Sequence, residues 1–326
     1  MDSKFHGQRV LALLRLWAAT AVIAYVATAA AHAALPAPER VTFPSLDIDA
    51  AGKAVEISAL FFRPPRAVPG APVPLVVAAH GCGGMFSANE RRRNELSERF
   101  ATWTAQLLDD GYAVLWPDSF NSRGRRSVCL GQRGEPTIAP ATRRLDVLGA
   151  QAFAAALGGI DRERIALVGW SHGGSTTLAA VNGKDARIAA FRSAPGTPPA
   201  FRAAVAFYPG CVAALRRGAN WQPEMPIAIH VGERDDWTPA AACVQLGDAA
   251  RARGASMAVT VYPGAYHGFD APSGKVKLWP EITTGTRPDR GVHVGPDPTA
   301  RAAADAAVRG FLRARLNESA ARGAAQ

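Results

Sequence analysis

A glycine-flanked serine between a strand and a helix constrains this chain more than any other feature. Residues 169–173 (GWSHG) follow the apolar run 164–168 and precede residues 175–181, which have helical character. A serine on such a sharp turn projects its hydroxyl above the sheet, and bulky neighbours two positions away would collide with the adjoining strand and helix. The pattern predicts a nucleophile elbow with Ser171 as nucleophile. The alternative is a turn serine that only caps a helix.

A serine hydroxyl is a weak nucleophile at neutral pH, so an elbow needs a base and an acid that orients the base. In this arrangement the acid and then the histidine follow the serine along the chain. The strand-like run 225–231 ends in residues 232–239 (GERDDWTP), a loop at the carboxyl end of a strand. Asp235 and Asp236 both compete there for the role of the acid.

The candidate base lies after the next strand-like run, residues 257–263. That run leads into residues 264–270 (GAYHGFD), which place His267 beside a glycine at the same predicted sheet edge. His230 lies inside a strand, and the alternative is His293 in a loop rich in glycine and proline. We predict His267 as the base.

A glycine-rich loop supplies the candidate oxyanion hole. The early apolar run 74–79 continues into residues 80–84 (HGCGG), where glycines allow backbone N–H groups to approach a carbonyl oxygen as it gains charge. We predict one donor at Cys82 or Gly83 and a second at His172, the residue after the nucleophile.

These motifs together resemble the dienelactone hydrolase family of α/β-hydrolases. The matching segments are residues 80–84, 169–174, 232–236 and 266–270. The resemblance extends over about residues 41–316 and implies an α/β-hydrolase fold and cofactor-free hydrolysis of small esters or lactones. The acid spacing common in α/β-hydrolases favours Asp235, leaving Asp236 as a helix cap or a supporting carboxylate. The name-giving enzymes use cysteine, whereas this chain has Ser171, as in relatives better described as carboxylesterases.

The fold predicted from the residues is α/β. Strand-like and helix-like segments alternate, which indicates a mostly parallel central sheet covered by helices on both faces. Residues 41–62 alternate in polarity like an N-terminal antiparallel hairpin. Helices are predicted over residues 96–109 and 142–157. On the second helix, Arg143 and Asp146 have the i,i+3 spacing of an ordinary ion pair.

The N-terminus has the pattern of a secretory signal peptide over residues 1–33. Lys4 and Arg9 precede an apolar run that closes with the small-x-small sequence of residues 31–33. An uncleaved anchor helix is the alternative. We therefore predict an exported, periplasmic or secreted protein with one domain, residues 34–326, and no stable membrane insertion after cleavage.

The four cysteines all lie in the mature part, at positions 82, 129, 211 and 243. An even number in an oxidising compartment favours two disulfides, for which three pairings exist. Cys211 ends one strand and Cys243 follows the acid loop of another, so adjacent strands would bring them together. We predict the pairs Cys211–Cys243 and Cys82–Cys129.

Several residues near the motifs are candidates for the substrate pocket. Trp170, Trp237 and Tyr266 flank the nucleophile, the acid and the base, although core packing would also explain such tryptophans. The arginine-rich residues 119–134 could bind a substrate carboxylate or form a solvated loop. Residues 271–298 are long and rich in glycine and proline, and are either a lid or pocket wall or a surface excursion.

The formal net charge of +10 raises nucleic acid as a partner, but no recognition motif accompanies it. No Cys/His cluster has zinc spacing, and residues 81–84 lack the lysine of a phosphate loop, so we predict no metal and no cofactor. The predicted function is hydrolysis of a small ester or lactone through an acyl-enzyme. The alternatives are a serine peptidase of the prolyl-oligopeptidase type and an inactive binding protein. The oligomeric state is not encoded in any pattern.

Overall fold

A twisted sheet forms the centre of the computed structural model, which describes residues 35–66, 70–130 and 138–317. The predicted signal peptide, residues 1–33, and Arg133 of the arginine-rich loop lie outside these residues. Within them the sheet has eight strands: β1 (Glu39–Ile48), β2 (Ala54–Phe62), β3 (Val73–Ala79), β4 (Ala113–Pro117), β5 (Ile160–Trp170), β6 (Ala203–Phe207), β7 (Ile227–Gly232) and β8 (Met257–Tyr262).

The strand order is β1-β2-β4-β3-β5-β6-β7-β8. β1 pairs antiparallel with β2, and β2 with β4, whereas the pairings from β4 through β8 are parallel. The central strands are apolar along their whole length, as in β3 (VPLVVAA) and β6 (AAVAF), because a sheet covered on both faces leaves no solvated side. The predicted mostly parallel sheet with an N-terminal antiparallel hairpin is confirmed.

Seven α-helices accompany the sheet in the described residues. They are α1 (Glu98–Asp109), α2 (Pro140–Ala156), α3 (His172–Ala180), α4 (Ala186–Ser193), α5 (Val212–Leu215), α6 (Ala240–Ala252) and α7 (Pro298–Leu316). The helices predicted over residues 96–109 and 142–157 correspond to α1 and α2. The second begins two residues earlier than predicted, at a proline, because proline is favourable at the first helical position. Across the described part of the chain, the helices are too short or too polar to cross a membrane.

A two-stranded hairpin lies in the segment 271–298. Its strands β9 (Lys277–Trp279) and β10 (Val292–Val294) pair antiparallel. β10 is attached to the loop after β8, since Val294 forms a bridge with His267 and Gly295 N–H donates to the His267 carbonyl at 2.9 Å. The segment is therefore fixed beside His267.

Both predicted disulfides are formed, between Cys82 and Cys129 and between Cys211 and Cys243. Cys82 lies in the loop after β3 and Cys211 in the loop after β6, so both bridges secure loops at the carboxyl edge of the parallel strands. Each bridge contributes about 2–4 kcal/mol to stability.

The prediction of an ion pair between Arg143 and Asp146 is wrong. Asp146 instead accepts hydrogen bonds from Arg123, at 2.8 and 2.9 Å, and from Ser45 Oγ at 2.6 Å. The i,i+3 rule applies to exposed helix faces, whereas this stretch of α2 is buried against β1 and the sheet, so each side chain finds a partner on a neighbouring element.

Candidate active site

Ser171 lies on a strained turn between β5 and α3. Its φ of 54° and ψ of −115° belong to a region that non-glycine residues rarely adopt. A Cβ atom at Gly169 would overlap the Gly173 carbonyl, and one at Gly173 would overlap the backbone of Ala79. The two glycines of the motif are therefore required by the close approach of β3, β5 and α3.

The parallel strands bring Ser171, His267 and Asp235 to one edge of the sheet. The Ser171 Oγ and His267 Nε2 atoms are 2.9 Å apart, and His267 Nδ1 is 2.8 Å from Asp235 Oδ2. The His267 and Asp235 side chains are 4% and 0% exposed. Such a chain of hydrogen bonds can move a proton from the hydroxyl to the imidazole while the carboxylate orients the ring.

The Asp235 carboxylate is held by the loop that follows it. Its Oδ1 accepts from the backbone N–H groups of Trp237 at 3.0 Å and Thr238 at 2.7 Å, and its Oδ2 accepts from Thr238 Oγ1 at 2.9 Å. The His267 ring is flanked by the rings of Tyr208 at 4.5 Å and Trp237 at 4.8 Å. These contacts fix both members of the pair.

Asp236, the competing aspartate, is bound to the alternative histidine. Its Oδ2 is 2.7 Å from His293 Nδ1, and its Oδ1 accepts from the His293 backbone N–H at 2.8 Å. Asp236 does not cap α6, which begins at Ala240 after Pro239. It supports β10 from the acid loop, and within the described residues neither Asp236 nor His293 forms a hydrogen bond with Ser171.

The candidate oxyanion residues adjoin Ser171. Gly81, Cys82, Gly83 and Gly84 line the same cleft as Ser171, and Gly84 N–H closes a turn onto the Gly81 carbonyl at 3.2 Å. His172 is the first residue of α3, and the N–H groups of a first helical turn have no acceptor within the helix. Cys82 and Gly83 line the cleft with Ser171, and His172 follows the serine along the chain, so their backbone N–H groups are the candidate oxyanion donors.

Behind these donors lies Arg143, which is 1% exposed. Its Nη1 donates to the His80 carbonyl at 2.9 Å and lies 2.9 Å from His172 Nδ1. Burial, together with the Arg143 charge, lowers the pKa of His172 to about 3, so this imidazole is neutral and Nδ1 accepts. Burial also lowers the pKa of Arg143 to about 9, which keeps the guanidinium charged at neutral pH.

The cleft above Ser171 has a volume of about 350 Å³. Its walls combine the glycine loop with apolar and aromatic side chains, namely Phe86, Phe100, Trp237, Trp279 and Val294. The segment 271–298 contributes Trp279 and Val294, so it is a pocket wall rather than a surface excursion. A volume of this size accommodates a small organic molecule.

Of the three predicted pocket residues, only Trp237 lines the cleft. Trp170 is fully buried and stacks on Phe207 with ring centroids 5.5 Å apart. It belongs to the core and not to the predicted pocket. Side chains alternate along a strand, so the residue before the nucleophile points into the sheet face and not towards the cleft. Tyr266 instead places its ring 5.1 Å from the His293 ring.

Sequence reasoning missed Asp270, whose side chain is 0% exposed. It accepts hydrogen bonds from Trp103 Nε1 and Trp170 Nε1, each at 2.9 Å, and from Tyr208 OH at 2.6 Å. Arg99, on the cleft wall, places Nε 3.3 Å from Asp270 Oδ1. The sequence signal is the position of Asp270 at the end of the motif 264–270, which also contains His267. A carboxylate that is buried there needs hydrogen-bond partners.

The arginine-rich loop is tied to the protein at two of its described arginines. Arg123 bonds Asp47 and Asp146 at 2.8 Å each, and Arg126 Nη2 donates to the Ser87 carbonyl at 2.7 Å. Both guanidinium groups are thus engaged in structural contacts. Within the described ranges, no group of three or more His, Cys, Asp or Glu side chains could hold a metal ion.

The fold and the site define an α/β-hydrolase. A model of the dienelactone hydrolase family matches residues 57–313, so the chain belongs to this family. No curated protein matches the chain.

Among solved structures, the chain is similar to a Klebsiella pneumoniae protein assigned to the dienelactone hydrolases (17% identity, 87% of this chain and 100% of that chain, TM-score 0.55). It is similar to esterase 2 of Thermogutta terrifontis (16% identity, 88% and 95%, TM-score 0.57). It also resembles dipeptidyl peptidase 4 of Porphyromonas gingivalis (17% identity, 86% and 35%, TM-score 0.56). At these identities, the likenesses show the shared fold.

Proposed function

We propose that the protein is an exported serine hydrolase that cleaves a carboxylic ester or lactone through an acyl-enzyme. One observation carries the proposal: the buried hydrogen-bond chain from Ser171 Oγ through His267 to Asp235, with distances of 2.9 and 2.8 Å. Membership of a family of hydrolases supports it.

In the first half of the reaction, Ser171 Oγ attacks the ester carbonyl carbon as His267 Nε2 takes the hydroxyl proton. The carbonyl electron pair moves to oxygen, and the resulting oxyanion accepts from the N–H of His172 and from that of Cys82 or Gly83. Collapse of this intermediate breaks the bond to the alcohol oxygen, which receives the proton from His267.

In the second half, water attacks the acyl group on Ser171 while His267 acts again as the base. The second tetrahedral intermediate releases the carboxylic acid and returns the proton to Ser171. The Asp235 carboxylate orients His267 and stabilises the imidazolium that forms twice in the cycle.

The lining of the cleft favours esters that carry an apolar or aromatic group. Trp237 and Trp279 both line the cleft and contact each other, with ring centroids 6.1 Å apart, and Phe86 and Phe100 extend the apolar wall. Arg99, the cation on this wall, also donates to the Gly268 carbonyl at 3.1 Å and lies against Asp270. Its charge is thus balanced from within the protein.

Export is supported by the signal-peptide pattern of residues 1–33 and by the two disulfides, which persist in oxidising compartments. N-terminal sequencing of the mature protein tests it. A mature chain beginning near Ala34 is the expected result, and retention of Met1 would contradict cleavage.

The nucleophile is tested by reaction with a fluorophosphonate probe and mapping of the labelled peptide. We expect stoichiometric labelling at Ser171, none in Ser171→Ala, and turnover of p-nitrophenyl butyrate by the wild type alone. Turnover of a peptide anilide in preference to the ester would favour a peptidase. A folded, unlabelled wild type would favour a binding protein.

A further inference from the structure

We propose that Arg143 is the positioning residue of the oxyanion hole, joining from behind the two loops that supply its donors. This role rests on the proposed serine hydrolase activity. The donors belong to separate elements, because residues 80–84 follow β3 whereas His172 begins α3. The distance between these two elements matters for catalysis, because each N–H must lie about 2.7–3.1 Å from the developing oxyanion.

A single atom of Arg143 spans the two elements. Nη1 carries two N–H bonds, and it lies 2.9 Å from the His80 carbonyl oxygen and 2.9 Å from His172 Nδ1. His80 directly precedes the glycine loop, and His172 directly follows the nucleophile. A movement of either loop relative to the other would therefore lengthen one of these bonds.

The surroundings hold the guanidinium in this position. Its Cζ lies 4.7 Å from the centre of the Phe120 ring, which also contacts the rings of His80 at 4.7 Å and His172 at 5.7 Å. A cation over an aromatic ring is attracted to it, and arginine makes this contact more often than lysine. Arg143, Phe120 and the two histidines form one cluster, in which every member except the half-buried His172 is buried.

Stability alone gives a poor account of this buried cation. The acid one helical turn away, Asp146, directs its oxygens to Arg123 and Ser45. At the end of β4, Asp118 accepts from Asn121 at 2.8 Å. Desolvating a charge is costly, and well-packed apolar side chains often stabilise such sites equally well. Both carboxylates interact with Arg143 electrostatically, but its hydrogen bonds go to His80 and His172, the residues next to the candidate oxyanion donors. A positive charge held there would stabilise the negative charge that develops in the transition state.

The experiment compares Arg143→Met, Arg143→Lys and a matched control, Arg144→Met, in the full chain. Arg144 is the next residue of α2 and is 8% exposed, but it donates to Asp185 at 3.2 Å instead of to the two loops. The measurements are kcat and KM for p-nitrophenyl butyrate, the inhibition constant of an alkyl boronic acid, and the labelled fraction with excess fluorophosphonate. The boronic acid forms a tetrahedral adduct that mimics the transition state.

We expect Arg143→Met to lower kcat by about 100-fold, the effect of a misplaced reacting group or a lost donor. KM should change by less than about threefold, and the boronic acid should bind weaker by the same factor as the loss in kcat. Arg143→Lys should recover part of both losses because it restores the charge. Arg144→Met should match the wild type within about threefold, and full labelling would report an intact Ser171 and His267 in each variant.

The proposal would be overturned by an Arg143→Met enzyme with wild-type kcat, by an equal loss in Arg144→Met, or by unchanged boronic acid affinity despite a lower kcat. If Arg143→Met does not fold, Arg143→Lys decides: matched losses in kcat and boronic acid affinity support the role, and wild-type values overturn it. A wild type without ester turnover would instead overturn the proposed function, and this role with it.

Discussion

Two consecutive aspartates of one loop each hold a histidine, but the two pairs have different surroundings. Asp235 and His267 are 2.8 Å apart, with side chains 0% and 4% exposed, and His267 continues to Ser171. Asp236 and His293 are 2.7 Å apart, with side chains 28% and 42% exposed, and His293 contacts the Tyr266 ring.

The difference shows that an Asp–His pair does not make an active site by itself. Both pairs have short hydrogen bonds, so distance does not distinguish them. The first pair is shielded from water, which strengthens its electrostatic interactions, and its second ring nitrogen faces a hydroxyl. The second pair attaches β10, and with it Trp279, to the acid loop.

The largest expected effect separates the two histidines. His267→Ala should lower kcat for p-nitrophenyl butyrate by about 10⁵-fold, because the base is lost. His293→Ala should stay within about threefold of the wild type, since its ring has no role in proton transfer. Steady-state kinetics with p-nitrophenyl butyrate gives kcat for both variants. Equal losses of kcat in the two variants would contradict the assignment of His267 as the base.

The aspartates should differ by a smaller factor. Asp235→Asn should lower kcat by about 10⁴-fold, because an amide at this position favours the wrong tautomer of His267. Asp236→Asn should leave kcat within about threefold. If Asp236→Asn proves the more damaging change in kcat, the assignment of the acid must be reversed.

A third histidine, His230, extends the comparison because it is buried beside Tyr262 OH at 2.8 Å. Burial lowers the pKa of His230 to about 4, below its usual 6.5. The neutral ring therefore contributes stability that is complete above about pH 6.5 and is lost as the pH falls towards 4, because the unfolded state binds the proton first.

Urea denaturation at pH 7.5 and pH 5.0 tests this effect. Between these values the free energy of unfolding of the wild type should fall by ~2 kcal/mol more than that of His230→Gln, which does not titrate. Identical losses in the two proteins would show that His230 titrates normally.

The smallest effect concerns the exposed pair. Asp236→Asn replaces a charged acceptor of His293 by an amide and should lower the free energy of unfolding by ~1 kcal/mol. Because β10 pairs with β9 next to Trp279, the KM for an aryl ester should rise by about threefold with unchanged kcat. An unaltered KM together with unaltered stability would show that the hairpin does not need this contact.

Much of the architecture was predictable because its causes are local. Short apolar runs predicted the strands, and apolar residues at helical spacing predicted the helices between them. The carboxyl ends of parallel strands share one edge of a sheet. That rule is why Ser171, Asp235 and His267 could be expected together, and the structure places them within hydrogen-bond distance. Their catalytic roles remain the proposal.

Other contacts depended on which elements pack together. Arg143 was expected to pair with Asp146 along its own helix, but it bonds the His80 carbonyl, 63 residues away. Trp170 was a candidate for either the pocket wall or the core, and its indole N–H donates to Asp270, 100 residues away. Spacing within one helix or strand carries no information about such partners.

The elbow, the parallel sheet and the candidate residues could be predicted from the order of amino acids, since backbone strain and side-chain periodicity act over a few neighbouring positions. The pairing of each aspartate with its histidine depends instead on how distant elements pack together. Asp235 and Asp236 are chemically identical neighbours, and the choice depends on where β8 and β10 place their histidines. Such packing also places Arg143 behind the oxyanion loop, because burial and long-range packing select the partners of a charged side chain.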